Sequence, residues 1–160
     1  MEFTIKPGYD YPKQIANLFG EYTQMVTRET PGFADYLKQQ NYEAELAHPG
    51  EKYALPGGYL LIAFKGDKPA GCIALKDLGD DNCEMKRLYV REQYRKRGLG
   101  TALAKAVIER ARQIGYKKML LDTFDTLGDA VRLYEKLGFK QTEQYNDSPM
   151  KGAIYMALEL

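Results

Sequence analysis

The chain has 160 residues, a formal net charge of +1 and 44% hydrophobic residues. That is enough for a sizeable core and too balanced in charge to draw in nucleic acid or a membrane surface. One histidine (His48), one serine (Ser148) and two cysteines (Cys72, Cys83) leave no set for a serine–histidine–acid triad or for a zinc site at recognisable spacing.

Phe3 and Ile5 alternate with Thr4 and Lys6, a short strand stopped by Pro7-Gly8. Ile15, Leu18, Phe19, Tyr22 and Met25 or Val26 fall at helical spacing, which predicts an amphipathic helix over 13–26. Pro31-Gly32 breaks it, and a second helix is expected from Phe33 to Leu46. Tyr59 to Phe64 is an apolar run fit for a buried strand, turned at Lys65-Gly66-Asp67-Lys68 into a partner over Ala70–Leu75. After a turn at 79–82, Met85 to Val90 reads as a strand whose apolar parity changes: Met85 is odd, Leu88 and Val90 are even. A bulge near Arg87 would account for the change. Leu99, Ala102, Leu103, Ala106, Val107 and Ile114 share one face of a helix ended by Gly115. A strand at Lys118–Asp122 then completes a strand–helix–strand unit, so it is expected to lie parallel to the strand before the helix. Thr126-x-x-Asp129 has the form of a capping box opening a short helix that carries Ala130, Val131, Tyr134 and Leu137. Phe139–Tyr145 and Ala153–Leu160 read as closing strands. No repeat, linker or low-complexity tract divides 1–160, so one domain is expected.

The stretch Arg95-Lys96-Arg97-Gly98-Leu99-Gly100-Thr101 joins a strand to the clearest helix. Two glycines let the backbone approach a ligand, the first-turn N–H groups lack helical partners, and three cations stand just upstream. Together these form a site for a pyrophosphate. The dinucleotide fingerprint fails, because its third glycine position is Leu103, and no Gly-Lys-Ser/Thr tripeptide exists for a Walker loop. What remains is Arg-x-x-Gly-x-Gly. With Glu84–Val90 upstream and Leu133-Tyr134-Glu135-Lys136-Leu137-Gly138-Phe139 downstream, it resembles the Gcn5-related N-acetyltransferase (GNAT) superfamily.

The resemblance implies an α/β (α+β) fold. Its mixed, mostly antiparallel central sheet would have about seven strands with splayed fourth and fifth strands, and about four helices. It also implies transfer of an acetyl group from acetyl-CoA to a primary amine in a ternary complex, with no metal. Arg95, Lys96, Arg97, Gly98, Leu99, Gly100 and Thr101 would hold the pyrophosphate, and Leu88, Tyr89 and Val90 the pantetheine arm, with the N–H near Leu88 as oxyanion donor. Glu84 stands eleven residues before Arg95, the interval of the catalytic glutamate in the founding histone-acetylating members, and would act as general base through a water. An alkyl ammonium with a pKa near 10.4 costs roughly 4–5 kcal/mol to deprotonate at neutral pH, so a base is needed. Tyr134 would protonate the leaving thiolate. Leu127 departs from the pattern, standing where many members carry an asparagine that touches the cofactor.

For the acceptor, a small amine or amino acid is favoured, with Tyr22, Phe33, Tyr36, Glu43 and Tyr145 as candidate lining. The alternatives are a catalytically silent CoA-binding sensor and, for the basic turn alone, a nucleic-acid binder, which the near-neutral charge disfavours. No nucleic acid, membrane or secretory signal is expected. Two cysteines point to a reduced, cytoplasmic setting, and a homodimer is left open.

Overall fold

The computed structural model describes residues 2–160. Its strands are β1 (Thr4–Pro7), β2 (Tyr59–Lys65), β3 (Lys68–Gly79), β4 (Asn82–Val90), β5 (Lys118–Phe124), β6 (Lys140–Gln141) and β7 (Ala153–Glu159). Its helices are α1 (Pro12–Glu29), α2 (Phe33–Gln39), α3 (Tyr42–Ala47), α4 (Pro49–Lys52), α5 (Leu99–Ile114) and α6 (Gly128–Lys136). The strands form one sheet in the order β1-β2-β3-β4-β5-β7-β6, antiparallel except between β4 and β5. Strand number and the mixed, mostly antiparallel character match the sequence expectation.

Each face of the sheet has its own core. Leu103 and Val107 of α5 pack with Leu61, Ile73, Met85, Met119 and Leu121 on one side. Ile15, Leu18 and Phe19 of α1 pack with Leu60, Ile62 and Cys72 on the other. These side chains are almost wholly withdrawn from water, at roughly 1.5–3 kcal/mol each for the larger ones. A third cluster, with Val26, Phe33, Leu37 and Phe124, fastens α1 and α2 over the end of β5.

The parity change on β4 is a bulge. Tyr89 faces Cys72 and Lys86 faces Ala74, so two β4 residues, Arg87 and Leu88, stand opposite Ile73 alone. Arg87 takes a left-handed conformation (φ 62°), and its carbonyl accepts a hydrogen bond from Cys72 Sγ at 3.4 Å. A bulge bends its strand, and β4 leaves β5 soon after the ladder starts. Pairing ends after Asn82↔Lys118, Cys83↔Met119 and Glu84↔Leu120. Beyond Glu84 the strands diverge, as the resemblance implied.

Three local expectations changed. The helix expected over 33–46 is broken at Asn41, which turns left-handed (φ 57°) and separates α2 from α3; with α4 this makes six helices among the described residues rather than about four. A short polar side chain lets asparagine adopt that turn at low cost. The strand expected over 139–145 survives only as Lys140–Gln141. Gln144 donates instead to the carbonyls of Asn146 and Ser148 (2.8 and 3.1 Å), and Asn146 Oδ1 accepts the Ser148 N–H. These local bonds compete with the ladder. Finally, Thr126 does not cap α6: its hydroxyl meets Thr30 at 2.9 Å, and Leu127 takes the cap position without a side-chain bond. Among the described residues no helix is long and apolar enough to cross a membrane.

Candidate active site

Where β4 and β5 part, a cleft of about 850 Å³ runs from the first turn of α5, past Leu88–Val90, to Asp122 and Thr123 on β5, with α6 along one wall. The α5 end is built mostly from main chain. Lys96 and Gly98 both have positive φ (63° and 83°), which swings the chain sharply into the helix. The first helical bond runs from the Ala102 N–H to the Gly98 carbonyl, so the N–H groups of Leu99, Gly100 and Thr101 precede it. The first turn of α5 contains no acidic residue and no side-chain cap. A Cβ on Gly100 would lie 3.6 Å from Leu133 Cδ2 and 3.9 Å from Val90 Cγ2, ordinary contacts within the fold. The helix end therefore offers unsatisfied donors and positive dipole to an anion in the cleft.

The cations of the turn divide. Arg95 and Lys96 line the cleft. Arg95 Nε donates to the Val90 carbonyl at 2.8 Å, and its guanidinium stands 5.7 Å from the Tyr89 ring centre. Arg97 turns away and pairs with Glu2, which also meets Lys65 at 3.3 Å.

The other end of the cleft is built from side chains on the α1–α3 face. The bulge puts Lys86 and Arg87 on the same side of β4. Arg87, 6% exposed, is gripped by Glu45 of α3 through Nε and Nη2 (2.7 and 3.0 Å), and Gln40 accepts from the same Nη2 at 3.1 Å. Lys52 and the Tyr53 hydroxyl also donate to Glu45 (2.7 and 3.0 Å). Burial opposes the charge on Glu45, but the hydrogen bond and charge of Arg87, with Lys52 behind, hold its carboxyl at about 2. Lys86 lies 3.8 Å from Glu84 and 3.4 Å from Gln40, and burial, with Arg87 alongside, pushes its ammonium down to about 8. Glu84, 4% exposed, accepts the Tyr145 hydroxyl at 2.5 Å. Asp122 accepts Asn146 Nδ2 at 3.1 Å; burial first, then the charge on Glu84, raise its proton affinity. Tyr134 lines the α6 wall with its ring edge-on to Phe139, and burial, with Tyr22 and Asp122 nearby, drives its hydroxyl well above the ordinary phenol range.

The site is thus a cleft between diverging strands with a bare helix end at one mouth. The profile of the Acetyltransferase (GNAT) family matches residues 18–139. The chain belongs to that family. It is an acetyltransferase, 42% identical over 142 residues to an uncharacterised N-acetyltransferase of Schizosaccharomyces pombe, covering 88% of this chain and 87% of the relative. Its fold is similar to the crystal structure of an acetyltransferase from Streptococcus agalactiae (TM-score 0.80, 21% identity, 100% and 99% of the two chains). It is similar as well to that of the PaiA N-acetyltransferase from Thermoplasma acidophilum in complex with coenzyme A (TM-score 0.78, 17% identity, 100% of both).

In this acetyltransferase the cleft brings together Leu88, Tyr89, Val90, Arg95, Lys96, Gly98, Leu99, Gly100, Thr101 and Tyr134. It does not bring Arg97, whose side chain is on Glu2, or Glu84, which sits at the last paired rung behind Lys86 and Tyr145. Leu127 lines the cleft with its apolar side chain beside the Phe33 cluster. Of the candidate acceptor residues, Glu43 is exposed while Glu45, two positions on, is buried against Arg87. Sequence reasoning passed over Asp122, Lys86 and the Glu45–Arg87 pair. The signal for Asp122 was a carboxylate ending the apolar run Met119-Leu120-Leu121. Among the described residues no group of three or more His, Cys, Asp or Glu side chains is placed to share a metal ion.

Proposed function

We propose that this acetyltransferase takes its acetyl group from acetyl-CoA and passes it directly to a small primary amine while both are bound. The observation that carries this reading is the notch between β4 and β5, which has bare helical N–H groups at one end and buried ionisable side chains at the other. The α5 turn suits the diphosphate, with Arg95 and Lys96 adding charge. The edge of β4 at Leu88–Val90 suits an extended amide-bearing arm lying alongside it like a further strand. That the Thermoplasma relative was solved with coenzyme A supports the same choice of donor.

Tyr134 keeps its proton at neutral pH, as a group that must hand one to a departing thiolate should. The Leu88 N–H at the bulge is the donor for the oxyanion. Glu84 acts on the acceptor side through an intervening group, since it lies against Lys86 and Tyr145 and does not itself line the cleft. The chain acts as one domain, and two unpaired buried cysteines suit a cytoplasmic setting.

Titration calorimetry with CoA, followed by acetyl-CoA turnover against a panel of primary amines and amino acids with free thiol as readout, tests the reading. Heat on CoA addition and thiol release with at least one amine are expected. Binding without release across the panel would favour a silent CoA sensor, and no binding would remove the reading.

A further inference from the structure

We infer that Asp122 is the group that takes the proton from the acceptor amine, with Glu84 and Asn146 as the residues that hold and tune it. The inference rests on the acetyl-transfer reading above and names the proton acceptor in it.

Two carboxylates stand at the splay, and their placement differs. Glu84 belongs to the last paired rung; one of its oxygens takes the Tyr145 hydroxyl at 2.5 Å and the other faces the Lys86 ammonium at 3.8 Å. Asp122 comes two residues later on β5, past the end of the β4 ladder, and forms part of the cleft wall. Asn146 holds its Oδ2 at 3.1 Å, while Oδ1 takes no hydrogen bond among the described residues. Asp122 therefore has an oxygen on the cleft wall to offer an incoming ammonium, whereas Glu84, with one oxygen on Tyr145 and the other beside the Lys86 ammonium, does not line the cleft. Tyr134 lines the same cleft from α6, so acid and base stand on the two walls between which the thioester must lie.

Burial serves both partners of the transfer. It raises the proton affinity of the Asp122 carboxylate and lowers that of an ammonium brought into the same site. The charged neighbours on β4 are Glu84, which raises the Asp122 proton affinity, and Lys86 and Arg87, which lower it. The titratable groups on the other elements within reach of its charge are all tyrosines: Tyr22 of α1, Tyr36 of α2, Tyr134 of α6, Tyr145 of the loop before β7, and Tyr155 of β7.

The ammonium gives one proton to Asp122 Oδ1. The freed nitrogen lone pair forms the C–N bond at the thioester carbon, and the carbonyl π pair moves to oxygen. When that pair returns, the C–S bond breaks, its electrons stay on sulfur, and sulfur takes the Tyr134 proton. The second nitrogen proton restores Tyr134 through solvent, and Asp122 releases its proton to water.

The test uses the full chain with acetyl-CoA and the fastest of L-lysine, spermidine, benzylamine and L-phenylalanine. Asp122→Asn is expected to lower kcat at least about 100-fold at neutral pH, with CoA affinity within about threefold of the parent. Its residual rate should climb about tenfold per pH unit as free amine accumulates. Glu84→Gln should keep kcat within about tenfold and move the acid limb of kcat/KM to lower pH, because a charge that raises the Asp122 proton affinity is gone. Asn146→Ala should move that limb to higher pH, which keeps the inference testable if Asp122→Asn does not fold. A rate for Asp122→Asn within threefold of the parent, a larger loss for Glu84→Gln than for Asp122→Asn, or an acid limb unmoved in Asn146→Ala would each overturn it. No thiol release by the parent from any of the four amines would remove the acetyl-transfer reading and this inference together.

Discussion

At the α5 end of the cleft the groups that face a ligand are mostly main-chain N–H donors on Leu99, Gly100 and Thr101, held by two positive-φ residues six and eight places after the end of β4. At the β5 end they are side chains collected from α1, α2, β4, β5 and the loop before β7, and they are held by one another. The first arrangement tolerates changes in side chain as long as the backbone path is kept. The second depends on each partner, because a buried charge that loses its counter-charge is left uncompensated. Under the proposed function, the first end would meet a feature shared by every CoA ester and the second would select the amine.

The largest effect expected from that contrast is at Glu45. Glu45→Ala leaves the Arg87 guanidinium buried and unpaired and should destabilise the protein by roughly 3–5 kcal/mol in denaturant unfolding. The same pair sets an acid limit. Folding holds the Glu45 carboxyl at about 2, against 4.5 as its ordinary value. Its contribution is therefore complete above about 4.5 and fades as pH falls toward about 2, on the order of 3 kcal/mol in all. Unfolding free energy measured from pH 5 to pH 2 should decline steeply in the parent and more shallowly in Glu45→Gln.

Next comes Gly100→Asp, which separates the two demands on the α5 end. A carboxylate in the first turn favours the helix by about 0.3–1 kcal/mol, and the added Cβ finds ordinary contacts. The same carboxylate occupies the anion's place. Melting temperature should hold or rise while CoA affinity by calorimetry falls about 100-fold. Smaller again, Tyr134→Phe should cut turnover by about tenfold or more at nearly unchanged CoA affinity, since only the proton-donating hydroxyl is removed from the wall. An unchanged kcat would detach Tyr134 from the chemistry. At the bottom of the range, Arg97→Ala should alter CoA affinity less than threefold, because that guanidinium is engaged by Glu2, whereas Arg95→Ala should weaken it more.

The contrast also decides what could be read without coordinates. The α5 turn is written in seven consecutive residues, so spacing alone exposes it, and the bulge at Arg87 shows in the parity of Met85, Leu88 and Val90. Arg87 and Glu45 are 42 positions apart and become partners only when α3 folds onto β4, so no local pattern announces them. Asn41 breaks its helix through one left-handed residue in a stretch whose side chains fit a continuous helix. The short β6 had the same origin, since the bonds of Gln144 and Asn146 that divert the chain are invisible to hydrophobic periodicity. Glu84 carried the expected interval, yet interval says nothing of which neighbour a carboxylate has already taken.

The three-rung ladder between β4 and β5 has a consequence for timing. Past Glu84 the two strands form an open V, and under the proposed function the thioester arm laid along the edge of β4 would close it before an amine arrives. Whatever fills that gap becomes part of the sheet and part of the next binding site at once. Substrates should therefore enter in a compulsory sequence, thioester before amine, with the second finding a surface that the first has just finished.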